Sequence, residues 1–221
     1  MRERTELLIG KTGLEKLKSS VVAVVGVGGV GGYVAEQLAR AGVGKIVLID
    51  NDIVSESNKN RQIIALDSTI GKLKVEAMKQ RIFDIDSQIS VLALPVRLTQ
   101  QNASELIEDV NYIVDAIDSV PDKVALIKLA KQKNINIISS MGSGNRFCMC
   151  NFEIAKIKNT TYDKLAKKMR ILLKEEGIDD VDVCYTKAPC VKCDGVIGSI
   201  SYVPAMCGIT IASFVVNELL K

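Results

Sequence analysis

The chain contains no histidine and no tryptophan in 221 residues. Without histidine there is no Ser-His or Cys-His catalytic pair and no histidine-held metal. Chemistry must come from Asp, Glu, Lys, Arg, Cys, backbone amides or a bound ligand. Long apolar runs are missing too: no stretch of about 20 apolar residues suits a membrane span. The run 209–220 is apolar but short, and reads as a buried helix. Residues 1–20 are mixed and charged, with no apolar segment of signal-peptide length. These features predict a cytoplasmic protein without a membrane span. In that setting the six cysteines are expected as thiols or metal ligands rather than disulfides.

What is present points to one α/β domain. Hydrophobic residues make up 48% of the chain, enough for a sizeable core. Residues 20–27 (SVVAVVGV) form a β-branched run, the mark of a strand buried on both faces. A glycine turn and a helix over 33–41 follow, closed by Gly42. A second strand is read at 45–50. Beyond it the pattern predicts helices at 71–83, 103–108 and 121–133, alternating with strands at 90–95, 112–117 and 135–140. Such alternation predicts a mainly parallel sheet with helices on both faces. Residues 1–145 read as a Rossmann-like nucleotide-binding core. Residues 146–221 read as a substrate-side, C-terminal extension. It holds a basic helix at 161–176, a mobile loop at 179–198, a strand at 199–203 and a helix from 207 to 220.

Charge is segregated. Residues 1–120 carry 14 Lys+Arg against 16 Asp+Glu, residues 121–174 carry 12 against 3, and residues 175–221 carry 3 against 7. A basic middle segment suits either a polyanion-binding face or a set of solvated lysines.

Gly26-Val27-Gly28-Gly29-Val30-Gly31 fits G-x-G-x-x-G directly after a buried strand. Glycines there let the backbone approach a phosphate, and the helix start offers oriented N–H groups. Asp50 ends the next strand, where a carboxylate can accept from ribose hydroxyls. Hydride transfer is not the favoured chemistry. Asp52, Asn58 and Arg61 follow within a dozen residues, and Lys74 opens the next helix. Fixed cations beside a glycine loop suit charge developing on a phosphate. Asp115-Ala116-Ile117-Asp118 ends a later strand. Asp115 is expected to be partly buried there. Asp118 is placed either to hold Mg²⁺ or to cap the following helix.

Together these residues resemble the E1-like superfamily, which includes the molybdopterin and thiamine sulfur-carrier adenylyltransferases. The glycine loop, the strand-ending Asp50, D-x-V-x-x-S-N-x-x-R-Q over 52–62, G-x-x-K over 71–74 and D-x-x-D over 115–118 occur in the superfamily's order. The resemblance implies that Asp50 holds ribose, that Asn58, Arg61 and Lys74 hold the phosphates of ATP, and that Asp118 holds Mg²⁺. It makes Arg61, Lys74 and Asp118 the catalytic candidates. It also implies a homodimer in which Arg4 reaches the ATP of the other subunit. Residues 4–10, 60–66, 115–120, 139–145 and 198–204 are most similar to a tRNA-modifying branch, the threonylcarbamoyladenosine dehydratases. That likeness implies activation of a carboxylate on adenosine 37 of tRNA, followed by ring closure with net loss of water. The alternative within the superfamily is adenylylation of a ubiquitin-like sulfur-carrier protein, with a sulfur-relay partner.

The cysteines depart from the adenylyltransferase pattern of two CxxC pairs. Only Cys190 and Cys193 form a CxxC; Cys148 and Cys150 form a CxC. A four-cysteine zinc site is weighed and not favoured. Free thiols are preferred, and a redox or catalytic Cys184 or Cys193 is the minor alternative. Cys207 is left without a role. The basic helix, with Lys164, Lys167, Lys168, Arg170 and Lys174, is the candidate surface for tRNA phosphates.

Overall fold

The computed structural model describes residues 2–148, 150–192 and 195–221. Its centre is one sheet in the order β3-β2-β1-β4-β5-β7-β6. Strands β1 (Val21–Val25), β2 (Lys45–Ile49), β3 (Ser90–Leu94), β4 (Tyr112–Asp115), β5 (Asn136–Ser140) and β7 (Asp182–Thr186) run parallel, and β6 (Phe152–Lys156) pairs antiparallel with β7.

The β-branched sequence of β1 feeds both sides of the sheet. Val22 and Val24 join one apolar cluster, with Leu38 of α2 (Gly31–Ala41), Met78 of α3 (Lys74–Ile85) and Ile211 of α7 (Tyr202–Leu220). Ala23 and Val25 join the other, with Ala103 of α4 (Ala103–Leu106), Leu126 of α5 (Val120–Gln132) and Met169 of α6 (Lys164–Glu175). Successive strand residues point to opposite faces, so an unbroken apolar strand demands helices on both. The helix α1 (Glu3–Ser19) breaks at Gly10 and joins the first cluster through Leu17.

Local chemistry sets the helix ends. Gly42 closes α2 in the left-handed region at φ 105°. Pro121 lies in the first turn of α5, where its missing N–H costs nothing. Asp163 caps α6 by accepting from Ala166 N at 2.8 Å.

Two expectations for the C-terminal third need correction, and one strand there is additional to them. Residues 182–186 form β7 inside the segment read as a loop. Residues 152–156 form β6, which was not anticipated. Residues 199–203 are not a strand: α7 begins at Tyr202. Pro204 fits in its first turn because N–H groups there have no helical partner. The helix therefore has 19 residues and a mean hydropathy of 1.6, long and apolar enough by composition to cross a membrane. Its packing is that of a core helix: Cys207, Gly208, Ile211, Ala212 and Val215 are buried in the domain.

Candidate active site

The chain leaves β1 in one direction toward β2 and β3, then returns to place β4 on the other side of β1. The sheet reverses its order there, and open α/β sheets bind ligands at the carboxyl ends of such strands. A cavity of about 840 Å³ lies at this point, lined by Gly26, Gly28, Gly29, Asp50, Asp52, Asn58, Arg61, Lys74 and Asp118, among others.

Two glycines are required by contact. Gly26 has φ +90°, and a Cβ there would meet Ala116 O at 2.6 Å. Only glycine lets the loop after β1 lie this close to the loop after β4. Gly31 does not line the cavity. A Cβ on it would sit 1.8 Å from Gly26 O, so its part is close packing of α2 under the loop. The N–H groups of Gly28 and Gly29 make no protein hydrogen bond among the described residues and are free for an anion.

Asp50 braces this loop. Its Oδ2 accepts from Val27 N at 2.7 Å and its Oδ1 from Asp52 N at 2.9 Å. Each oxygen keeps a lone pair for a further donor such as a hydroxyl. Farther along the chain, a 3-10 turn (Glu56–Asn58) fixes Asn58 by letting its Oδ1 accept from Ser55 N at 3.1 Å. That leaves the Nδ2 end as donor. Among the described residues Arg61 uses only Nη1, toward Ser57 O and Asn60 Oδ1, both at 2.9 Å. Lys74 is 7% exposed and its Nζ lies 2.7 Å from Asp52 Oδ2. These cations are positioned before any ligand arrives.

The two carboxylates after β4 part company. Asp115 is fully buried, not partly buried as the sequence suggested. Its Oδ2 lies 3.0 Å from the buried Lys123 Nζ and accepts from Ser139 Oγ at 2.5 Å, while its Oδ1 accepts from Ile117 N. Lys123 also donates to Ser140 O at 2.9 Å. This network fixes the turn that carries Asp118. Asp118 is exposed in the cavity and accepts no hydrogen bond among the described residues. It does not cap α5; the N-cap is Ser119, which makes no side-chain cap bond.

The sequence reading missed Lys123, Arg97 and Gln62. Arg97 lines the cavity and pairs with Asp122 at 2.8 Å. Asp122, with Asp118 adding to it, raises the Arg97 pKa further. Gln62 lines the cavity, and its Oε1 is buried with no hydrogen-bond partner among the described residues. Arg4 lies exposed on α1 and is not part of this chain's own cavity wall.

The cysteines fall into two groups. Cys184 and Cys207 are buried with their sulfurs 3.7 Å apart, and the Cys184 thiol is pushed far up by Cys207 and by burial. The geometry makes Cys184 a thiol of the core. Cys148 Sγ lies 3.4 Å from Cys150 Sγ, Cys190 is exposed, and Cys193 lies outside the described residues. Among the described residues no three metal-ligating groups converge.

A glycine-lined crevice at the switch of a parallel sheet, with fixed cations on one wall and a free carboxylate on another, defines an E1-like nucleotide-binding protein. The ThiF family model matches residues 2–221, and the chain belongs to that family. It is 40% identical to the tRNA threonylcarbamoyladenosine dehydratase of Bacillus subtilis, covering 99% of this chain and 94% of that one. It is 32% identical to the protein of that name from Haemophilus influenzae, over 94% and 88% of the two chains. The crystal structure of the Escherichia coli dehydratase in complex with ATP superposes with a TM-score of 0.93, at 32% identity, over 99% of this chain and 94% of that one.

Proposed function

We propose that this chain is an ATP-dependent tRNA threonylcarbamoyladenosine dehydratase. The observation that carries the reading is the crevice itself: placed cations, a free carboxylate, and no histidine or activated nucleophile beside them. Such a site suits a reaction in which the substrate supplies its own nucleophile. The likeness to named dehydratases, over nearly the full chain, supports the same assignment.

In this reading the substrate carboxylate attacks the α-phosphorus of ATP and pyrophosphate leaves. A neighbouring substrate nitrogen then closes the ring on the activated carbonyl, and AMP leaves with the carboxyl oxygen. The product has lost one water. Proximity serves in place of an enzyme nucleophile. Asp50 takes the ribose hydroxyls. Asn58 Nδ2, the free edge of Arg61 and the Gly28–Gly29 amides take phosphate oxygens. Lys74 exchanges Asp52 for phosphate, keeping its charge paired throughout. Arg61 and Lys74 offset charge that grows on the leaving group. Asp118 fits a Mg²⁺ ion: it is exposed in the crevice and accepts no hydrogen bond among the described residues. That ion would screen the phosphate charge, while the residues named here set the orientation.

The reading extends to tRNA as partner and to a homodimer. α1 exposes Leu7 and Leu8 at 85% and 87% beside Arg4, which supports a face covered by a second copy. Light scattering on the purified chain should give twice the monomer mass.

The deciding assay incubates the protein with ATP, Mg²⁺ and tRNA bearing threonylcarbamoyladenosine, then weighs the nucleosides. The expected result is a nucleoside lighter by one water, dependent on ATP and lost in Asp118→Ala. ATP binding without that product would overturn the reading.

A further inference from the structure

Among the described residues, four non-glycine residues have positive φ: Asp109, Asn134, Asn145 and Tyr162. Three are of the Asp/Asn type that tolerates this region; a tyrosine does not. Tyr162 has φ +62°, and Asp163 N donates to Thr161 O at 2.8 Å. The two facts define a three-residue turn of the uncommon, strained hand. The ring gains nothing from burial in exchange, being 86% exposed.

The strain persists because both flanks are pinned. Arg170 Nη1 donates to Thr160 O at 2.7 Å and to Thr160 Oγ1 at 2.6 Å. On the other side Asp163 is buried, caps α6 and pairs with Arg146 at 3.3 Å. Arg146 in turn donates to Gly142 O at 2.7 Å. Ser143 and Gly144, the next residues, line the nucleotide cavity. The turn that presents Tyr162 is thus tied to the wall of the active site.

The neighbouring charge is unusual as well. Across the basic middle segment, Lys123, Lys128, Lys131, Arg146, Lys156 and Lys158 all have acidic partners. Lys164, Lys167 and Lys168, just after Tyr162, are exposed and have no ion pair among the described residues. An exposed aromatic ring held in a costly backbone conformation, next to uncompensated lysines, is the pairing that unpaired RNA requires. Its bases stack on rings and its phosphates seek cations. Strained, exposed residues concentrate at functional sites.

We propose that Tyr162 is a stacking platform for an unpaired base of the RNA substrate, with Lys164, Lys167 and Lys168 receiving the flanking phosphates. The proposal rests on the RNA-modifying reading above and adds to it the residue on which an unpaired base stacks.

The test compares the full-length chain with Tyr162→Gly and Tyr162→Phe. Glycine removes the ring and relieves the positive φ, so the variant should be no less stable than the parent. Its Kd for a tRNA anticodon stem-loop should rise roughly tenfold or more. Its Kd for a blunt, fully paired RNA duplex of equal charge should stay within about twofold, as should its Kd for ATP. Tyr162→Phe should bind the stem-loop as the parent does. Equal stem-loop affinity in parent and Tyr162→Gly overturns the proposal. So does loss of dimer mass in Tyr162→Gly with RNA affinity unchanged, which would assign the ring to a second copy. If the parent binds the stem-loop through Tyr162 but never yields the dehydrated nucleoside, the catalytic reading fails and the stacking site stands.

Discussion

In the nucleotide crevice, Lys74 is held 2.7 Å from Asp52, Arg61 bonds Ser57 and Asn60, and Arg97 pairs with Asp122. On α6, Lys164, Lys167, Lys168 and Lys174 face solvent without an ion pair among the described residues. The crevice has its cations positioned by partners that a phosphate can replace one for one, which lowers the reorganisation needed when ATP enters. The α6 lysines are a loose field, suited to a partner whose phosphates lie in a row. The contrast runs through the acidic segment as well. Glu176, Asp179, Asp180 and Asp182 neutralise Lys128, Lys158, Lys131 and Lys156, so the net charge of the middle segment is concentrated on one helix.

The largest expected effect lies beneath the crevice. Lys123→Met leaves Asp115 buried and unpaired, and should cost about 3–5 kcal/mol of stability in denaturant titrations. Replacing both residues with apolar ones should recover much of that loss. Asp118→Asn, only three residues from Asp115, should change stability by no more than about 0.5 kcal/mol and lose turnover instead. A stability loss from Asp118→Asn equal to that from Lys123→Met would break the distinction between a structural and a ligand-facing carboxylate.

Next is Arg61→Ala. Removing a positioned cation from the developing charge should lower kcat about 100-fold, with RNA affinity unchanged. A drop in RNA affinity of the same size would mean that crevice and helix form one continuous surface. The effect of charge on α6 should be smaller per residue and sensitive to salt. Lys164→Glu with Lys167→Glu and Lys168→Glu should weaken stem-loop binding and flatten its dependence on log salt by about 0.7–0.9 per lost phosphate contact. ATP affinity should not move. Lys167→Glu, Lys168→Glu and Arg170→Glu together should weaken RNA binding too. Part of that effect would come from releasing Thr160, because Arg170 is half-buried and braces the Tyr162 turn.

The crevice was far more legible in the sequence than the helix surface and the C-terminal strands. A buried parallel strand such as β1 must be a β-branched run, and a phosphate loop must be glycine at fixed spacing, so both are written in consecutive letters. Strand β6 lies at the sheet edge, with Glu153 exposed and Lys156 half-buried, so its composition reads as loop. Strand β7 opens with Asp182, which pairs with Lys156 across that edge, and this hides a strand whose next four residues are buried. The segment 199–203 reads as β from its Tyr and Val, yet tertiary packing on α2 makes it the entry to a helix. Arg97 and Lys123 carry no local signal. Their places come from tertiary pairing: Arg97, after β3, reaches Asp122 of α5, and Lys123 of α5 reaches Asp115 and Ser140 at the ends of the adjacent strands β4 and β5.

The smallest effect concerns the Cys148–Cys150 pair, outside both regions. Burial and the hydrogen bond with Cys148 push the Cys150 thiol up from 9.0 to about 11. A raised thiol pKa means that the folded chain keeps a proton the unfolded chain loses. Stability is then unaffected below about pH 9 and falls as pH rises from 9 toward 11, by up to about 1.4 kcal/mol per pH unit. Cys150→Ala should flatten this alkaline limb relative to the parent in denaturant titrations at stepped pH. The opposite sign, stability rising with pH through neutrality and lost on chelation, would mean a thiolate held by a metal.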